Sequence, residues 1–502
     1  MPLTVLVTGA SGYIGGRLVP RLLADGHAVK ALTRSAGRLR DVPWADQVEV
    51  VEGDALGGTG LDRALAGVDV AYYLVHSIGA GTEFEETDRR AAKAFGAAAK
   101  AAGVTRIVYL GGLIADHEAL SPHLASRAEV GQLLLDSGVP TAVLQAAVIL
   151  GSGSASFEML RYLTERLPAM ITPKWVGNRV QPIAVRDVLR YLVAAATLPP
   201  EVSRRFDIGG PEILTYLEMM QRYAKVAGLR KRLIIPVPLL TPRLSGHWVN
   251  VVTPVPAALA KPLVRSLVNE VVCSESDIKQ YVPDPPTGLL GFDDSVRLAL
   301  LRIKQAAVET RWSNASWPGA PSDPLPTDPD WAGGSLYEDL RQRQVDADPE
   351  DLWHVIEGIG GEHGWYSFPL AWAIRGHLDR LVGGVGLRRG RRDPDQLYVG
   401  ESLDFWRVEE IEDRKLLRLR AEMKVPGAAW LELSVEKDES GKTLFVQRAL
   451  FHPRGLAGHA YWWSVAPFHG IVFGGMLANI AGAAERRSAD RRTEVLARRR
   501  ST

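Results

Sequence analysis

The chain has 502 residues, which is too long for a single hydrophobic core, so we expect two or three domains. Its 59 Lys and Arg nearly balance its 58 Asp and Glu, and a net charge of +1 argues against general nucleic-acid binding. A single cysteine, Cys273, excludes an internal disulfide and suits a reducing compartment such as the cytoplasm. The apolar N-terminus lacks a basic leader and a cleavage site, so we interpret it as a strand rather than as a signal peptide.

The first predicted elements are a strand at residues 3–8, a tight glycine turn and a helix. The turn consists of Gly9, Ala10, Ser11, Gly12, Tyr13, Ile14 and Gly15. Its glycines permit a sharp bend, let backbone N–H groups approach a pyrophosphate, and let the helix pack closely on the strand. The phosphates would bind at the helix N-terminus, where unpaired N–H groups and the helix dipole favour an anion. This context predicts a dinucleotide-binding turn, and an ordinary glycine-rich loop is the alternative.

The end of the second predicted strand, at residues 28–32, indicates which dinucleotide binds. A site that prefers NAD usually has an acidic residue here, against the ribose hydroxyls, and this sequence has none. Arg34, with Arg38 and Arg40 close behind it, can instead pair with a 2′-phosphate. The pattern favours NADP(H) and leaves NAD(H) as the second choice, while a solvent-exposed basic loop is the alternative interpretation.

Two later strands end in polar residues that are candidates for contact with the same ligand. Asp54 and Ala55 follow the third predicted strand, at residues 48–51, where a carboxylate can accept a hydrogen bond from the adenine amine. A simple turn aspartate is the alternative. His76 follows the fourth predicted strand, at residues 70–75, at the edge where a parallel sheet binds its ligand. We therefore expect His76 near the cofactor, unless it is a loop histidine with other partners.

Helices and strands continue to alternate up to the sixth predicted strand, at residues 141–145. This alternation predicts an α/β fold with a Rossmann-type, doubly wound parallel sheet. The element order, the glycine spacing, Gly53-Asp54 and the segment 181–187 resemble the extended, atypical short-chain dehydrogenase/reductases, including the NmrA-like NAD(P)-binding proteins. The resemblance covers roughly residues 1–300, and it implies an NAD(P)-binding domain with a substrate lobe at about 205–300.

Catalytic members of that family carry a serine after the fifth strand, and a tyrosine followed four residues later by a lysine. In this sequence Gly111-Gly112 stands at the serine position, and His123 and Arg127 stand best at the tyrosine and lysine positions. Histidine transfers protons near neutral pH, whereas arginine stays protonated and can hold a ribose or a phosphate. His123 and Arg127 are therefore the candidate catalytic pair, and Arg127 is also a candidate for cofactor binding. A helix-capping role for Ser121 and His123 is the alternative.

The segments after the sheet lead to a second domain. Residues 151–157 predict a loop and a helix start over the nicotinamide end of the cofactor. Prolines recur every few residues from Pro236 to Pro262, which predicts an extended segment that borders the substrate cleft rather than a regular helix. A stretch rich in Pro, Gly, Ser and Asp then predicts a linker. The predicted boundaries are a first domain at 1–312, a linker at 313–334, a second domain at 335–487 and a basic tail at 488–502.

The second domain has the pattern of an antiparallel sheet followed by a helix. Apolar residues such as Leu417 alternate with charged residues such as Arg418 and Glu432, which predicts strands with one solvent-exposed face. A long apolar helix follows at residues 466–485. Residues 365–485 resemble the START and polyketide-cyclase helix-grip superfamily, and more closely an uncharacterised domain that follows atypical short-chain dehydrogenase domains in bacterial proteins. The helix-grip resemblance implies an α+β fold with an apolar cavity for a hydrophobic ligand.

The C-terminal helix admits a second interpretation. Residues 464–484 contain no Lys, Arg, Asp or Glu and are followed by arginines, as in a membrane span. Pro467, His469 and several glycines dilute the hydrophobicity, so we favour a soluble helix whose small residues pack on the sheet. The arginines beyond it are predicted to form a solvated tail, with contact to anionic lipid at a membrane surface as the alternative.

Two further groups of charged residues lie between the linker and the sheet strands. Arg388 to Arg392 form a dense basic loop that can hold a phosphate or a carboxylate, although such runs are commonly solvated. Glu362, His363 and His377 match no metal-ligand spacing, so we predict no metal. No catalytic motif accompanies the second domain.

Three functions are compatible with the sequence. The favoured one is an NAD(P)-dependent oxidoreductase that acts on a small hydrophobic carbonyl or enone compound without the usual Tyr-Lys pair. The second is a non-catalytic NAD(P)-binding sensor, which the missing tyrosine supports. The third is a lipid- or quinone-binding protein at a membrane surface, reached through the C-terminal helix. We favour the first, because joined sites for a nicotinamide dinucleotide and an apolar compound suit a redox reaction.

Overall fold

The computed structural model describes residues 2–40, 42–56, 58–75, 84–114, 120–237, 252–266, 268–308, 334–360, 364–366, 397–438 and 440–500. The chain forms two compact units, Met1–Gly334 and Ser335–Thr502, each with its own hydrophobic core. Several residues named from the sequence lie outside the described ranges: His76, nearly all of the linker at 313–334, Glu362, His363, His377 and the basic loop at 388–392.

A parallel sheet organises the first unit. The strands of this unit are β1 Thr4–Thr8, β2 Ala28–Thr33, β3 Glu49–Glu52, β4 Val70–Tyr73, β5 Arg106–Gly112, β6 Thr141–Ala146, β7 Ile149–Leu150, β8 Ala169–Pro173, β9 Arg179–Val180, β10 Ile183–Ala184, β11 Arg204–Ile208, β12 Leu214–Thr215 and β13 Leu233–Val237. Its helices are α1 Tyr13–Ala24, α2 Leu61–Leu65, α3 Phe84–Ala101, α4 Pro122–Leu135, α5 Ala155–Arg166, α6 Val185–Ala195, α7 Tyr216–Val226, α8 Ala257–Ser266 and α9 Phe292–Val308. The sheet has the order β11-β6-β5-β4-β1-β2-β3 with every pairing parallel, which confirms the predicted doubly wound fold.

Helices cover both faces of this sheet, because successive residues of a strand point to opposite sides. Val5 of β1 lies in one core cluster with Leu18 of α1 and Val188 of α6. Leu6 points to the other face, into the cluster that contains Phe95 of α3. Since all the strands run in the same direction, their carboxyl ends meet at one edge of the sheet, where such folds bind ligands.

A lobe of short strand pairs and helices follows β6. In this lobe β7 pairs with β10, β9 with β12, and β8 with β13. Phe157, Tyr223 and Phe292 form its core between α5, α7 and α9. Residues 204–208, which begin the stretch assigned to the lobe from the sequence, form β11 at the edge of the main sheet. The main sheet therefore contains β11 in addition to the six strands that the sequence pattern predicts for it.

The proline-rich segment differs from the expectation of an extended chain. Its described part contains helix α8, with Pro262 in the helix interior. A proline inside a helix costs about 3 kcal/mol, so packing has to offset that loss. Ala260 of α8 is fully buried in a cluster with Met159 of α5, which supplies such packing. The segment does border the cleft, because Leu259 and Leu263 line the cavity of the candidate site.

The second unit is an antiparallel sheet with a long helix. Its elements are β14 Tyr337–Gln344, α10 Pro349–Glu357, β15 Ser402–Leu403, β16 Trp406–Glu412, β17 Leu416–Ala421, β18 Gly427–Lys437, β19 Thr443–Pro453 and α11 Gly455–Arg500. The sheet has the order β14-β19-β18-β17-β16-β15. Leu431 and Leu433 of β18 share a core with Met476 and Ile480 of α11. The predicted antiparallel sheet and C-terminal helix are confirmed.

The other face of this sheet carries a ladder of alternating charges. Its members lie on five adjacent strands: Glu338, Arg448, Glu432, Arg418 and Glu410. Arg418 Nε lies 2.9 Å from Glu432 Oε1, and Arg448 Nε lies 2.5 Å from Glu338 Oε1. Arg418 and Glu432 are buried, so the expectation of a solvent-exposed face is wrong at these two positions. The charges tolerate burial because each has an opposite charge beside it.

Helix α11 is longer than predicted, since it runs from Gly455 to Arg500. The arginines predicted to form a solvated tail belong to this helix. Arg487 Nε lies 3.4 Å from Asp351 Oδ1, and Arg491 Nη2 lies 3.2 Å from Asp351 Oδ2. The prediction of a tail was wrong because Asp351 belongs to α10, more than a hundred residues earlier, and its contribution is not visible in the local sequence.

The charge ladder predicts a large loss of stability when one buried partner is removed. Glu432→Gln removes one of the two carboxylates beside the buried Arg418 and leaves Glu410, so we expect the second unit to lose about 1–3 kcal/mol of unfolding free energy. Hydrogen exchange of the β17 and β18 amides in the full chain measures this loss. The control is Glu412→Gln, which removes a more exposed pair with Lys415 and should change stability by less than about 0.5 kcal/mol. Equal effects of the two variants would contradict the buried-pair explanation.

Candidate functional site

The glycine turn packs so closely that two of its positions exclude a side chain. Gly9 has φ +69°, and a Cβ on it would lie 2.8 Å from the backbone oxygen of Leu74, just after β4. A Cβ on Gly15 would lie 2.2 Å from the backbone oxygen of Gly9. The turn is closed by a hydrogen bond of 2.9 Å from Gly12 N to Gly9 O. Glycine is therefore required by sterics at positions 9 and 15.

This turn sets the N-terminus of α1 at the carboxyl end of β1. Gly12 is the N-cap residue, no side chain caps the helix, and its first turn contains no acidic residue. The first amides of a helix have no intrahelical acceptor, and the helix dipole adds partial positive charge there. Ala10 is buried, Ser11 is half-buried, and Tyr13 and Ile14 line a cavity. The geometry fits the pyrophosphate of a dinucleotide.

The residues predicted at the adenosine end follow β2 and β3. Arg34, Arg38 and Arg40 are all exposed after β2. Asp54 Oδ1 accepts a hydrogen bond of 3.0 Å from the backbone N–H two residues further on, and Ala55 is buried. One oxygen of the Asp54 carboxylate is therefore used within its own turn. The three arginines are exposed to solvent beside the same sheet edge.

A cavity of about 320 Å³ extends from the glycine turn into the lobe of the first unit. Much of its apolar lining comes from the sheet edge and three helices: Leu110, Leu113, Leu124, Val148, Met159, Leu259 and Leu263. Its polar side chains are Tyr13, His123, Arg127, Ser154, Ser156, Tyr216 and Ser266. The structure thus brings the glycine turn, His123 and Arg127 to one cavity, whose lining includes many apolar side chains.

His123 lies on the cavity wall at the start of α4. Ser121 is the N-cap, and its hydroxyl accepts a hydrogen bond of 3.3 Å from Leu124 N. Ser121 therefore caps the helix, and the His123 ring takes no part in the cap. Burial, aided by the positive charge of Arg127, lowers the pKa of His123 to about 4. At neutral pH the imidazole is thus uncharged and can donate one hydrogen bond, unlike a histidine that titrates near neutrality.

Arg127 lies one helical turn further along α4 and is oriented by the sheet. Its Nη2 donates a hydrogen bond of 3.1 Å to Leu110 O. Its guanidinium carbon lies 5.6 Å from the ring centroid of Tyr109, whose hydroxyl donates to Arg127 O over 3.3 Å. These contacts fix a permanent positive charge beside the cavity, where it can hold a ribose hydroxyl or stabilise an anion.

Sequence reasoning missed Tyr216 and the two leucines of α8. Tyr216 is the first residue of α7, which begins with a capping box between Thr215 and Glu218. Burial raises the pKa of the Tyr216 hydroxyl above its usual range, so the group stays protonated. The Thr-x-x-Glu spacing locates the helix start in the sequence, but only the fold shows that this start faces the cavity. The leucines were missed because the neighbouring prolines argued against a helix.

The comparisons with known proteins agree with this geometry. Residues 9–149 match the family described as NAD(P)H-binding. A (4-alkanoyl-5-oxo-2,5-dihydrofuran-3-yl)methyl phosphate reductase of Streptomyces griseus is 31% identical over 232 residues, which are 45% of this chain and 74% of that protein. A ceramide reductase of Caulobacter vibrioides is 30% identical over 303 residues, or 58% of this chain and 93% of that protein. This chain belongs to the NAD(P)H-binding, reductase-like family.

Two other similarities complete the comparison of this NAD(P)H-binding protein. Residues 331–476 match a family described as a protein of unknown function (DUF2867). The crystal structure of a Citrobacter sp. triphenylmethane reductase complexed with NADP(H) aligns with a TM-score of 0.48 and 22% identity, covering 59% of this chain and 99% of that chain. The NAD(P)-binding family predicted for the N-terminal domain is thus confirmed, and the second unit carries a domain whose function is not established.

Cysteine and metal-ligand chemistry were also considered from the sequence. Burial raises the pKa of the Cys273 thiol to about 12, so the thiolate does not form at neutral pH. The backbone N–H of Cys273 donates a hydrogen bond of 3.0 Å to Gln181 Oε1. Within the ranges that the structure describes, no group of three or more His, Cys, Asp or Glu side chains is arranged to hold a metal ion.

The steric requirement at Gly15 predicts a loss of cofactor binding in Gly15→Ala. The new methyl group would meet Gly9 O at 2.2 Å and force the turn open, so we expect the Kd for NADPH to rise by about tenfold or more, which is about 1.4 kcal/mol. Titration of NADPH fluorescence measures the Kd. Gly177→Ala is the control, because a Cβ at Gly177 meets no atom within 4 Å. Unchanged binding in Gly15→Ala, with its thermal stability retained, would rule out this role for the turn.

Proposed function

We propose that this protein is an NADPH-dependent reductase of the cytoplasm that reduces a carbonyl group or a conjugated carbon–carbon double bond in an apolar, acyl-bearing compound. The observation that carries the proposal is the cavity that the glycine turn shares with apolar side chains of the lobe, with His123 and Arg127 on its wall. The names of the two bacterial relatives support the substrate class, since one specifies an alkanoyl group and the other a ceramide, which is an acylated lipid.

The preference for NADP(H) over NAD(H) is part of this proposal. Arg34 follows β2 at the position that decides between the two dinucleotides, and it is exposed. No acidic residue stands there to bind the 2′-hydroxyl of NAD. A guanidinium can donate paired hydrogen bonds to the 2′-phosphate of NADP, which are roughly twice as strong as neutral ones.

We infer that His123 and Arg127 replace the Tyr-Lys pair of related enzymes. Bound NADPH supplies a hydride. The neutral His123 imidazole donates a hydrogen bond to the substrate oxygen, and the fixed charge of Arg127 stabilises the negative charge that develops on it. The proton that completes the reduction reaches the substrate through His123 or directly from water. Because His123 is uncharged at neutral pH, its contribution is to polarise the acceptor rather than to release a stored proton.

The second unit is proposed to bind a hydrophobic ligand as a helix-grip domain. The packing of α11 against one face of a six-stranded antiparallel sheet supports this arrangement. An acylated compound is a suitable ligand for such a domain, since the first unit is proposed to act on the same class of molecule.

The proposed role of Arg34 predicts a selective effect on one coenzyme. Arg34→Ala removes the donor to the 2′-phosphate, so the Kd for NADPH should rise by about tenfold, while the Kd for NADH changes by less than about twofold. Calorimetric titration with both coenzymes measures this difference. Arg230→Ala, which removes an exposed arginine after α7, is the matched control and should leave both values unchanged. An equal rise in the Kd values for NADPH and NADH would contradict a contact between Arg34 and the 2′-phosphate.

Reduction is tested with a panel of long-chain ketones and long-chain α,β-unsaturated ketones, by the consumption of NADPH. His123→Phe should lower kcat/KM by about a hundredfold because the donor is lost, whereas His123→Gln keeps an N–H donor and should lose less than about tenfold. Since the pKa of His123 is about 4, the rate should show no inflection near pH 6.5 and should change only as pH falls towards 4.

Two controls separate catalysis from binding in this experiment. The Kd for NADPH should remain the same in both His123 variants. His27→Gln serves as the matched histidine variant, because the His27 ring accepts a hydrogen bond from Leu3 N at the opposite end of β1. The absence of NADPH consumption with every member of the panel, in protein that binds NADPH, would favour the non-catalytic sensor instead.

A further inference from the structure

Among the residues that the structure describes, the N-terminal half of α11 packs on the sheet along one face. Tyr337 of β14 stacks on Trp462 with ring centroids 4.8 Å apart. Further along the helix, His469 Nδ1 lies 3.3 Å from Asp339 Oδ2. Phe473 is buried in the core of the unit. Trp462, His469 and Phe473 are seven and four residues apart, so they lie on one face of the helix.

The opposite face of the same helix segment is apolar and exposed. Trp463 is 70% exposed, Phe468 63% and Ile471 66%, and Leu456 is also exposed. Residues 455–484 contain no Lys, Arg, Asp or Glu. From residue 456 to residue 478 the exposed side extends about 34 Å at 1.5 Å per residue. We call these four side chains, with the exposed small residues on the same side up to Ala478, the α11 apolar face.

A core helix and a spanning helix both fail to explain this face. Helix α11 is long and apolar enough to cross a membrane, but only 22% of its most apolar window is buried, whereas a core helix is mostly buried. A membrane-spanning helix would need apolar surroundings on every side. Here one side is packed on β14 through Tyr337 and Asp339, which belong to the sheet. A helix that lies in the plane of a membrane surface satisfies both observations.

We propose that the α11 apolar face inserts into the surface of an anionic lipid membrane. Exposed arginines bound it at both ends, Arg454 before the helix and Arg486 after the charge-free stretch. Residues 454–500 contain eight Arg and three acidic residues, a net charge of +5, and two of these arginines, Arg487 and Arg491, are already paired with Asp351 of α10. Anionic headgroups attract such charges, while Trp463 has the side chain that is enriched at the lipid–water boundary.

The size of the face argues against a second copy of the chain as its occupant. A helix about 10 Å wide and about 34 Å long offers a footprint of about 340 Å². Stable protein–protein interfaces bury about 800 Å² on each partner. The three most exposed side chains are also large, and they project from the surface, which suits insertion between lipids better than a flat contact.

Flotation of the full-length protein with vesicles tests the proposal. We expect binding to vesicles of phosphatidylcholine mixed with phosphatidylglycerol, weaker binding to phosphatidylcholine alone, and weakening by salt. The variant Trp463→Gln/Phe468→Gln/Ile471→Gln should bind at least about tenfold more weakly. The matched control Leu340→Gln/Tyr398→Gln/Val399→Gln removes three exposed apolar side chains elsewhere in the same unit and should bind like the wild type.

Quenching by lipids brominated in the acyl chain locates Trp463 directly and does not depend on the triple variant folding. The quenched fraction of tryptophan fluorescence should fall in Trp463→Phe and should not fall in Trp353→Phe, which changes a buried tryptophan of α10. Failure of the wild type to float with either vesicle would overturn the proposal, as would equal binding by the triple variant. A dimer in solution that the triple variant dissociates, without vesicle binding, would assign the face to a second copy instead.

Discussion

The first unit depends on the absence of a side chain at two positions of one turn. Because Gly9 and Gly15 approach backbone oxygens more closely than any Cβ allows, α1 can begin directly at the carboxyl end of β1. That start leaves the uncapped end of the helix beside the ends of β4 and β5, where the cavity opens. The dinucleotide site is thus a consequence of backbone packing, and side chains such as Arg34 and Asp54 only modify which nucleotide it prefers.

A second constraint is the proximity of two basic side chains, His123 and Arg127, in the half-buried wall of the cavity. Arg127 cannot lose its proton, and its contacts with Leu110 and Tyr109 keep it in place. His123, one turn away and largely desolvated, therefore becomes the uncharged member of the pair. The charge on the wall is permanent, while the neighbouring imidazole is a neutral donor. This division of roles follows from helical spacing and burial, and it suits an acceptor oxygen that gains negative charge.

Local patterns predicted the parts of this molecule that local forces determine. The glycine spacing and the alternation of strands and helices were sufficient for the parallel sheet and for the position of α1, and the neighbourhood of His123 and Arg127 followed from the family resemblance. The remainder depends on contacts between distant residues. Residues 204–208 join the main sheet through β6, and the packing of Met159 with Ala260 stabilises α8 despite Pro262. Neither partner can be read from the segment itself.

The two halves of α11 illustrate the same principle in the second unit. Beyond residue 485 the helix is charged, and Arg487 and Arg491 are paired with Asp351 of α10. Before that point it carries no Lys, Arg, Asp or Glu from residue 455 to residue 484, and Trp463, Phe468 and Ile471 are 63–70% exposed on one side. Exposed apolar area is unfavourable in water by about 25 cal/mol per Å². A continuous exposed apolar face of this length therefore marks a site that binds a partner or a membrane. The ion pairs with α10 hold the helix on the unit independently of that face, which leaves the face free to meet a partner without loss of the fold.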